Sequence, residues 1–158
     1  MNITILCVGK IKEKFFSDAI SEYSKRLSRF CKLEIIEVKD IKIPENASEK
    51  EHEAILEKEG EQIISKIPKD SYVLPLCIEG KELSSPELAD KISSISMEKS
   101  HITFIIGGSL GMSATVKKLG NLHLSFGKMT LPHQLMRVVL LEQIYRAFKI
   151  NAKESYHK

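Results

Sequence analysis

The 158-residue sequence contains no tryptophan, only three cysteines and no apolar run near the roughly 20 residues that span a bilayer. The missing run argues against a membrane-spanning helix, so no membrane partner is predicted. Met1 to Gly9 has no basic segment before its short apolar run, which predicts a first strand rather than a signal peptide. Cys7, Cys31 and Cys77 are odd in number and far apart, which is typical of reduced, structural thiols in a cytoplasmic protein.

Signatures of metal ligation and of covalent catalysis are also missing. The five histidines never pair at i, i+4, and no Cys-x-x-Cys occurs, so no metal is predicted. No G-x-S-x-G elbow surrounds Ser109 or Ser125, and no cysteine has a histidine nearby in the sequence. Nucleophilic catalysis is therefore not indicated.

The charge that is present lies in separate blocks, although the formal net charge is only +3. Residues 10–32 hold seven basic residues against three acids, and the last helix and tail are basic again. By contrast, residues 45–61 hold seven glutamates against two lysines. Segregated basic faces can attract nucleic acid, although solvated helix faces have the same pattern in a sequence.

Apolar strands alternate with helical segments along the chain, which predicts an α/β fold with a mostly parallel sheet flanked by helices. Strands are predicted at 2–8, 33–38, 72–78, 101–106 and 121–126. Helices are predicted at 12–30, from Ser48 to about Ile67, from Ser84 or Ser85 to about Met97, and at 132–150. Pro75 removes a ladder donor from the third strand and predicts an edge, a bulge or a distorted strand end.

No linker, repeat or low-complexity segment interrupts this pattern, so residues 1–158 are predicted to form a single domain. The last predicted helix is apolar on most of its circumference, from Leu135 to Phe148. A helix of this kind needs burial on two sides, and we expect a second subunit to cover the side that faces away from the sheet.

Three segments at strand ends have the composition of ligand-binding loops: residues 76–80, 106–111 and 126–131. Their glycines allow a ligand to approach the backbone closely, and their apolar side chains could clasp a flat apolar group. The pattern fits a buried heteroaromatic ligand, although ordinary strand-to-helix turns have the same spacing.

Two common nucleotide-binding motifs are nearly matched and are excluded by their details. The glycines of Gly107-Gly108-x-x-Gly111 follow the fourth strand rather than the first and lack the Rossmann spacing. Gly127-Lys128 lacks the earlier glycine of a P-loop and the Ser or Thr that should follow its lysine.

Taken together, seven segments resemble the RlmH family of SPOUT-class methyltransferases over the full length of the chain. The segments are Ile3 to Lys10, Ile106 to Gly108, Leu124 to Phe126, Met129 to Gln134, Arg137 to Leu140, Glu142 to Ala147 and Tyr156 to Lys158. The resemblance implies a SPOUT-type α/β knot whose C-terminal part, about residues 72–158, forms a deep trefoil knot and binds the cofactor. It also implies a cytoplasmic homodimer.

The resemblance implies an activity as well: methylation of N3 of pseudouridine 1915, in helix 69 of 23S rRNA within the assembled ribosome. The cofactor would be S-adenosyl-L-methionine. Carried over residue by residue, its contacts fall on Leu76, Gly107, Phe126, Gly127, Lys128, Met129, Thr130 and Leu131. A SPOUT methyltransferase of another rRNA or tRNA base, or a non-catalytic RNA-binding module, is the alternative.

The resemblance further implies that the C-terminal tail completes an active site, either that of its own chain or that of the partner subunit. N3 of a uracil-type ring carries a proton that must leave, and His157 is the candidate base because histidine titrates near neutral pH. Tyr156 would stack on or bond the target base, and Lys158 and Arg137 would steady anionic oxygens or phosphate. The basic face of residues 10–32 and the basic last helix are the candidate contacts to RNA.

Overall fold

One sheet of five parallel strands, with helices on both faces, organises the computed structural model, which describes residues 1–158. The elements in chain order are β1 (Asn2–Val8), α1 (Lys14–Leu27), β2 (Lys32–Val38), α2 (Glu49–Lys66), β3 (Tyr72–Glu82), α3 (Ser85–Glu98), β4 (His101–Ile106), α4 (Ala114–Lys118), β5 (Leu124–Ser125) and α5 (His133–Asn151). The strand order is β2-β1-β4-β3-β5, and every pair is parallel. The predicted α/β class is confirmed, while the trefoil knot stays a prediction.

The alternation of side chains along the strands feeds two apolar cores, one on each face of the sheet. In β1, Ile3, Ile5 and Cys7 join the core that packs against α1, α3 and α5. Leu6 and Val8 point the other way, into the core that contains residues of α2 and α4. A strand buried on both faces has a continuous apolar sequence, which is why the first strand could be predicted from the sequence.

Helix starts follow the predicted capping residues. Ser84 is the N-cap of α3, since its hydroxyl accepts the Glu87 N–H and the Glu87 carboxylate accepts the Ser84 N–H at 2.7 Å. This reciprocal pair decides between the two candidate serines. Ser48 likewise caps α2 by accepting the N–H of Glu51.

The structure differs from the prediction at two strand boundaries and by one short helix, for local reasons. The strand predicted at 121–126 shrinks to Leu124–Ser125, because Asn121 instead bonds the N–H and C=O of Val73. Helix α4 was not predicted, since its five residues are too few to show a helical period. Strand β3 continues past residue 78 to Glu82, because Lys81 and Glu82 pair with β5.

Pro75 lies where β3 changes its hydrogen-bonding partner. Pro75 is the last residue of β3 that pairs with β4, and pairing with β5 begins at Leu76 with a shift of register before Lys81. A Cβ on Gly120 would lie 2.7 Å from the Pro75 ring, so an irregular loop packs against the proline. The predicted irregularity is confirmed, whereas the predicted edge position is wrong because β3 is an inner strand.

The three cysteines are all free and buried. Burial raises the pKa of the Cys7 thiol to about 12 and that of the Cys31 thiol to about 11, which keeps both protonated and unreactive near neutral pH. No three or more His, Cys, Asp or Glu side chains are grouped so that they could hold a metal ion. Among the helices, none has the length and apolar character needed to cross a membrane.

Candidate functional site

The carboxyl ends of β4 and β5 and the part of β3 from Leu76 to Glu79 open into one cavity of about 570 Å³. Ligands of open α/β sheets bind at this edge, and the volume lies within the roughly 300–1,000 Å³ of small-molecule sites. The wall is completed by the first turn of α5, through Pro132, His133 and Met136. Fold and volume together therefore indicate a binding site for a small molecule.

Seven of the eight residues predicted to contact a cofactor line this cavity: Leu76, Gly107, Phe126, Gly127, Met129, Thr130 and Leu131. The eighth, Lys128, is exposed and lies outside the lining. Ile78, inside the predicted segment 76–80 but not among the predicted cofactor contacts, and Met136, which sequence reasoning missed, also line it. Both could have been found from spacing, because Ile78 is two residues from Leu76 along a strand and Met136 is three residues from His133 along a helix.

The loop after β4 is closed so tightly that it requires glycine. A Cβ on Gly107 would lie 2.4 Å from the carbonyl oxygen of Gly111, far inside normal contact distance. The N–H of Gly111 donates to the carbonyl of Gly108 at 3.0 Å, and Gly111 itself has φ +84°. The backbone of this loop is thereby held in place as one wall of the cavity.

Replacing Gly107 by alanine is expected to weaken ligand binding by about tenfold or more, since the loop must open to admit the methyl group. Calorimetric titration with S-adenosylmethionine measures the loss, and thermal melting checks that the variant is folded. An unchanged affinity in a folded variant would show that this loop does not shape the site.

Ser125 fixes the third loop to the middle of β3. Its hydroxyl donates to the carbonyl of Ile78 at 2.9 Å and accepts the N–H of Gly127 at 3.1 Å. Gly127 has φ +110°, which an L side chain rarely adopts. The loop then places Met129 at the rim with 87% of its surface exposed, so an apolar side chain is available to a ligand.

The charged groups of the cavity are already balanced. Lys117 and Glu79 form an ion pair at 2.6 Å, which lowers the pKa of Glu79 and raises the pKa of Lys117. Burial and the nearby Arg137 lower the pKa of His133, which keeps this imidazole neutral at pH 7. The cavity thus offers apolar walls and backbone groups with no unpaired cation, which suits a flat ligand that carries positive charge.

Arg137 points into the fold rather than into the cavity. Its side chain is 1% exposed, and it bonds the Glu37 carboxylate at 2.6 Å and the carbonyls of Gly9 and Val8. A guanidinium so enclosed cannot reach a substrate phosphate, so the contact predicted from sequence is corrected to a structural one. It joins the start of α5 to the ends of β1 and β2.

The C-terminal tail is ordered against α5 by a compact polar and aromatic cluster. The Tyr156 hydroxyl donates to Glu142 at 2.8 Å, and the Tyr156 ring packs on the Arg146 guanidinium and edge-on against Tyr145. His157 Nδ1 lies 3.4 Å from a terminal nitrogen of Arg146. Hydrogen bonds from Tyr23, Tyr156 and Arg146 lower the pKa of Glu142 despite the opposing effect of its burial.

This cluster lies on the far side of α5 from the cavity of the same chain. Glu142 is nine residues after His133, about two and a half turns, which places it on the opposite side of the helix and about 13 Å along it. Neither Tyr156, His157 nor Lys158 lines the cavity. The structure therefore brings the predicted cofactor residues together and leaves the predicted catalytic tail apart from them.

Known proteins match the whole chain. The family model described as "Predicted SPOUT methyltransferase" matches residues 1–157. Two relatives carry the name ribosomal RNA large subunit methyltransferase H: one from Clostridium novyi is 58% identical and one from Bifidobacterium adolescentis 57%, each over 100% of both chains.

Solved structures share the fold at low sequence identity. A protein from Haemophilus influenzae, described as a probable methylase family protein, aligns with 99% of this chain and 70% of its own at TM-score 0.55 and 15% identity. A tRNA (m1G37) methyltransferase from Aquifex aeolicus aligns with 92% of this chain and 70% of its own at TM-score 0.53 and 17% identity.

Proposed function

The chain belongs to the SPOUT methyltransferase family, whose methyl donor is S-adenosylmethionine, and we propose that it methylates N3 of pseudouridine 1915 in helix 69 of 23S rRNA. Support for the rRNA substrate comes from the full-length relatives, which are named as large-subunit rRNA methyltransferases. The observation that carries the proposal is that segments from three separate strands meet in one apolar cavity.

The cavity fits the cofactor. Exposed Met129 and Ile78 supply apolar surface for an adenine ring, and Gly111 and Gly127 have open space where a side chain would otherwise project. Leu76, Gly107 and the loop 126–131 would hold the cofactor. When bound, S-adenosylmethionine supplies a methyl group on a positively charged sulfur, and no unpaired cation of the chain opposes that charge.

The residues of the chain then have two tasks, to orient the target base and to remove its proton. His157 is exposed and can accept the proton from N3, a role typically worth about 10²–10⁴-fold in rate. Tyr156 would contact the base, and Lys158 would contact an anionic oxygen. Glu142 and Arg146 already bond the tail or pack on it. Binding of the substrate therefore needs little further ordering of the tail.

We propose that these tasks are performed at the cavity of a partner subunit, in a homodimer. Leu135, Val138 and Val139 are only half-buried and share the face of α5 that carries Glu142 and Arg146. A two-fold contact that runs the two α5 helices antiparallel covers this apolar strip. It also brings the tail end of one helix to the cavity end of the other.

Basic residues without an ion-pair partner are the proposed contacts to ribosomal RNA. Lys10, Lys12, Lys25 and Lys32 are exposed and form no ion pair in the chain, whereas Arg26 and Arg29 pair with Glu22 and Glu154. The segment with Lys10 and Lys12 also lies beside the start of α5, since the N–H of Lys12 donates to Gln134. An enzyme of assembled ribosomes would work in the cytoplasm.

Deletion of the gene is expected to abolish one N3-methylated pseudouridine in 23S rRNA. Mass spectrometry of nuclease fragments from deleted and complemented cells measures it. In vitro, labelled S-adenosylmethionine should transfer its methyl group to assembled ribosomes. Loss of a different rRNA or tRNA methylation would instead favour the SPOUT alternative, and no methyl transfer to any RNA would favour a non-catalytic module.

A further inference from the structure

A second, smaller cavity of about 40 Å³ adjoins the cofactor cavity beside the β2–α2 loop. Gly108, Ser109 and His133 line both cavities, so only this shared wall separates the two spaces. The remaining lining includes two carboxylates, Asp40 and Glu59, and no lysine or arginine. The volume exceeds the roughly 10–15 Å³ that one water-sized group occupies.

Glu59 is an unusual residue in this small cavity, because its side chain is buried without a cation. The residue is 5% exposed. Its Oε2 accepts the N–H of Ile41 at 3.0 Å, whereas Oε1 has no hydrogen-bond partner in the chain. Oε1 faces the shared wall, 3.8 Å from where a Cβ on Gly108 would be. Oε1 is not among the buried atoms that lack a partner, so it is accessible from the small cavity and free to accept a donor that enters there.

His133, on the shared wall, does not supply Glu59 with a positively charged donor. His133 has a buried Nδ1 without a hydrogen-bond partner, and burial together with Arg137 lowers its pKa, so the imidazole stays neutral. Burial and the nearby Asp40 raise the pKa of Glu59, as expected for a carboxyl that lacks a counter-ion. The small cavity thus contains no positively charged donor that could pair with Glu59.

We propose that this small cavity is the subsite for the ammonium group at the methionine end of S-adenosylmethionine, with Glu59 as its counter-ion. The inference rests on the proposed cofactor site. An ammonium group offers three donors, and Glu59 Oε1 is an accessible acceptor beside the shared wall that no group of the chain bonds. The carboxylate of the large cavity, Glu79, is already bonded to Lys117 at 2.6 Å. Asp40, which is exposed, adds negative potential at the same end.

The test compares two ligands that differ in the amino-acid end. S-adenosylhomocysteine carries the same ammonium group on an uncharged sulfur, and 5′-methylthioadenosine keeps the adenosine and an uncharged sulfur but lacks the amino-acid end. Glu59→Gln retains an oxygen for the Ile41 N–H and removes the charge. Glu61→Gln, an exposed glutamate on the same helix, is the matched control. Affinities are measured by calorimetric titration of the full-length protein.

We expect Glu59→Gln to weaken binding of S-adenosylhomocysteine about tenfold or more while leaving 5′-methylthioadenosine within about twofold, and Glu61→Gln to change neither. Equal loss for both ligands would overturn the inference, since Glu59 would then act through the fold. No loss for either ligand would also overturn it, as would a selective loss in Glu79→Gln alone. If the unaltered protein binds neither ligand, the proposed cofactor site itself fails.

Discussion

Two inactive variants of this protein should restore activity to each other when they are mixed. One variant carries His157→Ala, which removes the proposed base, and the other carries Gly107→Val, which blocks the cofactor loop. Each alone is expected to lose about 10²–10⁴-fold in methyl transfer to ribosomes. After subunit exchange, half of the dimers hold one chain of each kind, and one of their two sites has both an intact cavity and an intact tail. The mixture should therefore recover about a quarter of the unaltered activity.

The result depends on the tail reaching the cavity of the partner rather than that of its own chain. If the tail serves its own cavity, neither half of a mixed dimer has an intact site, and the mixture stays inactive. A double variant with both changes in one chain, mixed with the unaltered protein, is the control. Its mixed dimers hold no intact site when the tail acts on the partner, because the good cavity receives the damaged tail and the good tail meets the blocked cavity.

The cavity could be anticipated from sequence because its walls are local. Gly107 and the loop from Phe126 to Leu131 follow the ends of β4 and β5, and Leu76 lies in β3 just after its pairing with β4 stops. The ends of parallel strands meet at one edge of a sheet, so these segments come together there. The order of the strands cannot be predicted from local sequence, since β5 pairs with β3 rather than with its chain neighbour β4. Spacing alone left two interpretations of these segments, a ligand site or ordinary strand-to-helix turns. The resemblance to a family supplied the cofactor contacts.

Long-range polar contacts could not be predicted in the same way. Arg137 bonds Glu37, one hundred positions earlier, and Glu59 bonds the backbone of Ile41 across the β2–α2 loop. Nothing in the sequence near Arg137 distinguishes an arginine that faces a substrate from one that is buried. The tail is a further case, because a chain end is disordered by default and only the contacts to Glu142 and Arg146 order it.

Removal of the buried guanidinium should cause the largest loss of stability among single changes at the site. Arg137→Met keeps the length and apolar stem of the side chain but removes the guanidinium donor from the carbonyls of Val8 and Gly9 and the cation from the Glu37 carboxylate, which keeps the N–H of Ile11. Breaking a buried ion pair typically costs about 3–5 kcal/mol. Because Glu37 is 36% exposed and can turn to water, we expect about 3 kcal/mol, the low end of this range.

Urea unfolding followed by circular dichroism measures this loss as a lower midpoint at an unchanged slope. The double variant Arg137→Met with Glu37→Gln should be less destabilised than the single one, because no unpaired carboxylate remains. A loss below about 0.5 kcal/mol would show that the pair contributes no more than an exposed one. Arg137 also anchors the first turn of α5, which carries His133 and Met136 into the cavity wall. The single variant should therefore bind S-adenosylmethionine more weakly even under conditions where it remains folded.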